Sequence, residues 1–180
     1  MDYFMPTKIF QPFTDRLSRD IRNDLSESLV KVIEAGTMLP AERAASRYIS
    51  KKLDSCYIDY IDDRLRKYSL IYRQLSQHNI PLLQGLILWD KQLFFEVHEI
   101  LEHAWMKAVD EERLFLQAMI RAAGVYIKLE AGYPEPAARI ARKAIPVLVR
   151  NRSRLSPYTD PNLLISALSD LSQPPPQLLS

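Results

Sequence analysis

The sequence contains few of the residues on which several large classes of protein depend. Its 180 residues include one cysteine and four glycines. A single cysteine, Cys56, cannot form an internal disulfide, and this is typical of proteins kept in a reducing cytoplasm. Four glycines are too few for the loops that cradle nucleotide phosphates, and no Gly-x-Ser-x-Gly motif is present. These absences argue against nucleotide-binding folds and against serine hydrolases.

Long apolar runs are also missing. No stretch approaches the ~18 consecutive apolar residues that a membrane-spanning helix needs. The first residues lack the basic segment, followed by an apolar one, that is typical of a signal peptide. We therefore expect a soluble, cytoplasmic protein with no membrane partner. The formal net charge of +2 is too small to indicate a nucleic-acid-binding protein by itself.

The apolar residues that are present recur at helical spacing, and strand-like alternation is nearly absent. The predicted fold class is all-α, a compact multi-helical bundle with a central apolar helix, plus an N-terminal helical hairpin extension. The central helix is expected over 113–131, because apolar side chains cover well over half of its circumference. Helices over about 91–108 and 136–149 are its predicted partners.

Four segments are predicted along the chain. They are a flexible N-terminus (1–13), a helical extension (14–80), a helical core domain (81–155), and a short helix with a proline-rich tail (156–180). Thr14 is expected to cap the first helix and Gly36 to end it, and Asp90 is expected to cap the helix that contains His98. Residues 172–180, with three consecutive prolines, are expected to form a loose tail.

One polar pair interrupts a predicted apolar face. On a helical wheel of about 100° per residue, His98 lies at the centre of the apolar side of 90–105 and Glu102 lies beside it. The apolar residues on that side are Phe94, Phe95, Leu101, Trp105 and Val109. The residues toward the opposite, wetter side are Glu96, Glu99 and His103. A carboxylate is almost never fully buried unless it is paired, so the pattern predicts a buried polar site.

The central helix carries a polar stripe that is expected to face this pair. The stripe consists of Arg113, Gln117, Arg121, Gly124 and Lys128. Gln117 and Arg121 are the expected partners of His98 and Glu102, because a short connection makes the two helices antiparallel neighbours. Gly124 would let a backbone or a ligand approach closely. Two interpretations stay open: a hydrogen-bond network that fixes helix register, or a pocket for a small anion or metal.

Known metal motifs do not match the spacing. A zinc-protease helix has a second histidine where this chain has Glu102, and a di-iron bundle needs two Glu-x-x-His motifs. His98 and Glu102 offer two ligands to a divalent ion, with a third needed from elsewhere. No cofactor beyond such a divalent metal is predicted. General acid–base catalysis by His98, with Glu99 or Glu102 orienting the imidazole, also stays open.

The segment 139–154 contains six basic residues and no acidic residue. They are Arg139, Arg142, Lys143, Arg150, Arg152 and Arg154. Solvated helix faces explain most runs of this kind, and an anion-binding surface for nucleic acid or an acidic protein is the alternative.

A family resemblance follows from two stretches. Residues 94–105 resemble the Phe-Glu-Ala-His-Glu-x-Leu-Glu-x-x-Trp signature of the family catalogued as domain of unknown function 309, and residues 115–126 resemble that family's second block. The resemblance covers about 81–150. It implies a compact multi-helical domain and no established activity. The resemblance and the helical wheel together indicate these polar-site candidates: Glu96, His98, Glu99, Glu102, Trp105, Gln117, Arg121 and Tyr126.

Three functional hypotheses result. The first is a binding or adaptor module with a buried His/Glu/Gln/Arg site. Its partner would be a protein or a small molecule, and the module itself can be a homo-oligomer. The second is a metal-assisted or acid–base hydrolase-like enzyme that uses His98, Glu99 and Glu102. The third is weak binding of nucleic acid or another anion through 139–154.

Overall fold

The computed structural model describes residues 8–179, and within this range the chain forms nine helices and no strand. The predicted all-α class is therefore confirmed. In chain order the helices are α1 (Arg16–Ala35), α2 (Leu39–Ile49), α3 (Ser55–Ser76), α4 (Pro81–Asp90), α5 (Phe94–Trp105), α6 (Asp110–Glu130), α7 (Pro134–Arg150), α8 (Arg152–Leu155) and α9 (Pro161–Asp170). None of the described helices is both long and apolar enough to cross a membrane.

Two compact units divide the chain, one ending at Ser76 and the other beginning at Gln77. In the first unit, α1 packs against both α2 and α3. The Asp15 carboxylate accepts a hydrogen bond from the Ser18 backbone N–H at 3.0 Å, so Asp15 caps α1 and the predicted cap at Thr14 is wrong by one residue. Gly36, with φ of 64°, ends the helix as predicted.

The predicted flexible N-terminus, 1–13, lies partly outside the described residues. Within the described part, the Phe10 ring stacks on Tyr60 with centroids 3.7 Å apart, and Gln11 donates its backbone N–H to the Ser18 hydroxyl.

In the second unit, α6 packs against α5 on one side and α7 on the other, and α9 covers α7. This confirms the predicted central helix and its partners. Ala118, Ala122 and Ala123 are completely buried on α6. The helix begins at Asp110, three residues before the predicted start. The acidic residues at 110–112 occupy its first turn, where the helix dipole stabilises negative charge.

The proline-rich segment after α9 is not a loose tail. The Asp90 carboxylate accepts hydrogen bonds from the backbone N–H groups of Leu178, at 2.7 Å, and Leu179, at 2.8 Å. The indole N–H of Trp89 donates to the carbonyl of Pro176 at 2.9 Å, and the Leu178 side chain is buried. The prediction for 172–180 is thus wrong over its described part. The predicted cap at Asp90 is also wrong, because Leu93 precedes α5 and its side chain makes no capping hydrogen bond.

Close helix packing occurs at a different glycine from the one expected. A Cβ atom built on Gly124 would meet nothing within 4 Å, so the described structure brings no backbone close to this position. A Cβ on Gly85 would lie 3.2 Å from the Leu101 side chain. The small residue that lets two helices approach is therefore Gly85, where α4 meets α5.

Candidate functional site

The site residues lie on α5, whose buried face differs from the predicted one. Val97, Ile100 and Leu101 point into the core of the unit. His98, Glu99 and Glu102 therefore lie at the edge of that face, with side chains 32%, 23% and 45% exposed. The expectation that His98 and Glu102 are largely buried is wrong.

The predicted apolar face omits Val97 and Ile100, which are both buried. With these two residues included, the face is centred about one residue before His98. α5 also stops at Trp105, so Val109 is not part of it and is 66% exposed.

The predicted position of Glu96 on the wetter side of the helix is also wrong. Its side chain is only 1% exposed. It lies in the first turn of α5, where the unpaired backbone N–H groups and the helix dipole favour a carboxylate. Glu96 is thus the buried acid of this helix, in the role that the wheel had assigned to Glu102.

His98, Glu99 and Glu102 converge on one point beside α5. The His98 Nδ1 atom lies 3.5 Å from a carboxylate oxygen of Glu99 and 3.8 Å from one of Glu102. Each of the three side chains offers a ligand atom within 4.8 Å of the others. The Phe95 ring lies parallel to the imidazole of His98, with ring centroids 5.9 Å apart and an angle of 6° between the ring planes. Among residues 8–179, His98 Nδ1 is buried and has no hydrogen-bond partner.

The spacing of these atoms suits a metal ion. With bonds of about 2.1 Å, the donors of a tetrahedral site lie ~3.4 Å apart, so small rotamer changes would close this triad around an ion. The sequence predicted two ligands and a third from elsewhere on the chain. In the structure, a third possible ligand atom comes from the next residue, since a carboxylate oxygen of Glu99 lies close to His98 Nδ1.

The proposed partners on α6 do not join the triad. Within the described residues, no hydrogen bond connects His98 or Glu102 to Gln117 or Arg121, and all four side chains are partly exposed. The predicted register-fixing network is therefore not formed.

The two aromatic candidates have other surroundings. The Arg113 guanidinium lies 4.3 Å from the centre of the Trp105 ring, a cation–π contact at the end of α5. Tyr126 is buried against the rings of Trp89 and Phe94, and this burial raises the pKa of its hydroxyl to about 12. Its hydroxyl has no hydrogen-bond partner among the described residues. Tyr126 therefore belongs to the aromatic core of the unit.

The basic run divides into two sets. Arg150 pairs with Glu111 at 3.6 Å, Arg152 donates to the Asn162 side chain at 2.7 Å, and Arg154 lies over the Phe115 ring at 6.0 Å. The other set remains exposed on α7, around a shallow surface depression. It consists of Arg139, Arg142 and Lys143.

Comparison with known proteins confirms the resemblance over one segment. Residues 82–140 match the family described as "Domain of unknown function (DUF309)". The matched segment contains all of α5 and α6, and hence His98, Glu99 and Glu102. No curated protein and no solved structure matches the chain.

Proposed function

We propose that the protein is a helical binding module that holds a divalent transition-metal ion with His98, Glu99 and Glu102. The observation that carries this proposal is the state of His98 Nδ1. This nitrogen is shielded from water, makes no hydrogen bond within the described structure, and faces two carboxylate oxygens. A buried polar atom without a partner costs about 1–3 kcal/mol, and coordination of an ion would remove that cost.

The donor set favours particular ions. One imidazole nitrogen and two carboxylates suit Zn²⁺ and its neighbours in the first transition row, whereas Mg²⁺ and Ca²⁺ prefer oxygen ligands alone. Two carboxylates also offset the charge of a divalent cation. All three ligands come from less than two turns of one helix and are partly exposed, so water would complete the coordination.

The same feature supports a second candidate, metal-assisted hydrolysis. Three protein ligands leave a position for a water molecule, and zinc lowers the pKa of such a water to about 7. The three cavities described for the chain are not lined by His98, Glu99 or Glu102. The triad lies at the partly exposed edge of α5, and we therefore favour a binding role over turnover of an enclosed substrate.

Calorimetric titration of the full chain with ZnCl2 tests the proposal. We expect one saturable site, and a loss of affinity of at least about tenfold in His98→Ala, because one of three protein ligands is removed. His103→Ala is the matched control, since it removes an exposed imidazole from the same helix. Equal affinity in wild type and His98→Ala would refute the site. Zinc-dependent ester hydrolysis that His98→Ala abolishes would favour the second candidate.

A further inference from the structure

A cavity of about 270 Å³ lies in the second unit, away from the metal-ligand triad. It is formed where the start of α4, the end of α5, the first turns of α6 and the short helix α8 meet. Its apolar wall includes Leu82, Phe115 and Leu116, and Ala104 contributes from α5. Phe115 and Leu116 are buried side chains of the core, so this wall is a fixed part of the fold.

Two opposite charges line the same cavity and do not pair. Glu112 and Arg154 both border it, yet neither forms an ion pair with the other or with any residue in 8–179. Neighbouring charges behave differently: Glu111 pairs with Arg150, and Arg152 is bound to the Asn162 side chain. Glu112 and Arg154 therefore line the cavity without an ion-pair partner among residues 8–179 and are available to a ligand.

The Arg154 side chain also lies beside the apolar wall of the cavity. Its guanidinium lies 6.0 Å from the centre of the Phe115 ring, which forms part of the apolar wall. Small-molecule sites typically combine an apolar lining with a few polar groups that fix the orientation of the ligand. The volume is below the range usual for drug-sized ligands, which indicates a small ligand.

We propose that this cavity binds a free apolar α-amino acid. The carboxylate of the ligand pairs with Arg154, its ammonium group pairs with Glu112, and its aliphatic side chain packs on Leu82, Phe115 and Leu116. A ligand with both charges would pair with Glu112 and Arg154 together, whereas a singly charged one would pair with only one of them.

The first test uses ligand analogues and the unaltered chain. L-leucine is titrated calorimetrically, alongside 4-methylpentanoate, which lacks the ammonium group, and 3-methylbutylamine, which lacks the carboxylate. Each charge-assisted contact contributes a free energy equivalent to about tenfold in affinity or more, so leucine should bind at least about tenfold tighter than either analogue. Absence of saturable leucine binding at millimolar concentrations would overturn the proposal.

The second test determines which charged group of leucine each of the two side chains binds. Arg154→Gln should weaken leucine at least about tenfold and leave 3-methylbutylamine unchanged, and Glu112→Gln should weaken leucine and leave 4-methylpentanoate unchanged. Both side chains are exposed, so neither change disturbs the core. Arg142→Gln and Glu135→Gln are the matched controls. Glu135, like Glu112, lies in the first turn of a helix.

A third variant leaves the charges in place and fills the cavity. Ala104→Leu should abolish leucine binding while the helical circular dichroism spectrum is retained. Undiminished binding in Ala104→Leu, or in Arg154→Gln, would show that leucine binds elsewhere and would overturn the assignment.

Discussion

Replacing Asp90 with asparagine should release the segment that follows α9. The Asp90 carboxylate accepts two backbone hydrogen bonds, at 2.7 Å from Leu178 and 2.8 Å from Leu179. Each bond to a charged acceptor contributes about 1.5–3 kcal/mol, and the partial exposure of Asp90 favours the lower value. Asparagine retains one acceptor oxygen, and thus one neutral bond of about 1 kcal/mol. The expected loss is therefore about 2 kcal/mol.

Hydrogen exchange followed by NMR measures this loss where it occurs. A loss of about 2 kcal/mol corresponds to roughly thirtyfold faster exchange of the Leu178 and Leu179 amides. The indole N–H of Trp89 should accelerate with them, because it donates to Pro176 in the same segment. Asp170→Asn, at the exposed end of α9, is the control and should leave all three rates unchanged. Unchanged amide rates in Asp90→Asn would refute the reasoning.

Three further predictions concern other parts of the chain. Hydrogen bonds, first from Ser18, lower the pKa of Asp15 to about 2, so its contribution to stability is present above about pH 4 and is lost as pH falls toward 2. Asp15→Asn should accordingly reduce the unfolding free energy by no more than about 1 kcal/mol at pH 6, after allowance for solvent screening, with the difference vanishing near pH 2 in urea titrations. Gly124→Ala should stabilise the protein by about 0.5–1 kcal/mol, because the position is helical and open; a lower urea midpoint would contradict this. Binding of duplex DNA should be weak and non-specific, and charge reversal at Arg139 and Arg142 should reduce its salt slope by up to about 2 in fluorescence anisotropy; sequence-selective binding at physiological salt would contradict this expectation.

The helices of the second unit could be predicted because their signals are local. The apolar circumference of 113–131 required neighbours on two sides, and α5 and α7 provide them. Gly36 marked the end of α1, because a glycine at that position accepts a positive φ without strain. Helix ends were less accurate where several residues are suitable caps, as with Thr14 and Asp15.

The errors arose where a distant part of the chain decides the outcome. Asp90 has the sequence features of a helix cap, yet its partners are almost 90 residues further along the chain. Nothing near Asp90 in the sequence indicates them.

The proximity of His98 to Glu102 could be predicted from the sequence, but the burial of the two side chains could not. His98 and Glu102 do lie close together, since residues four apart share a helix face. The predicted apolar face omits the buried residues Val97 and Ile100, and this displaces it away from Glu96 and toward Glu102. The part played by Glu99 depends on a side-chain rotamer, which the periodicity of the sequence does not contain.

Anomalous X-ray diffraction from crystals grown with ZnCl2, recorded above and below the zinc absorption edge, would show directly whether His98, Glu99 and Glu102 bind zinc. We expect an anomalous difference peak about 2.0–2.1 Å from His98 Nδ1, with carboxylate oxygens of Glu99 and Glu102 at about 2.0–2.2 Å from the same peak. Data in which zinc binds elsewhere, while His98 Nδ1 keeps only its carboxylate neighbours, would contradict it.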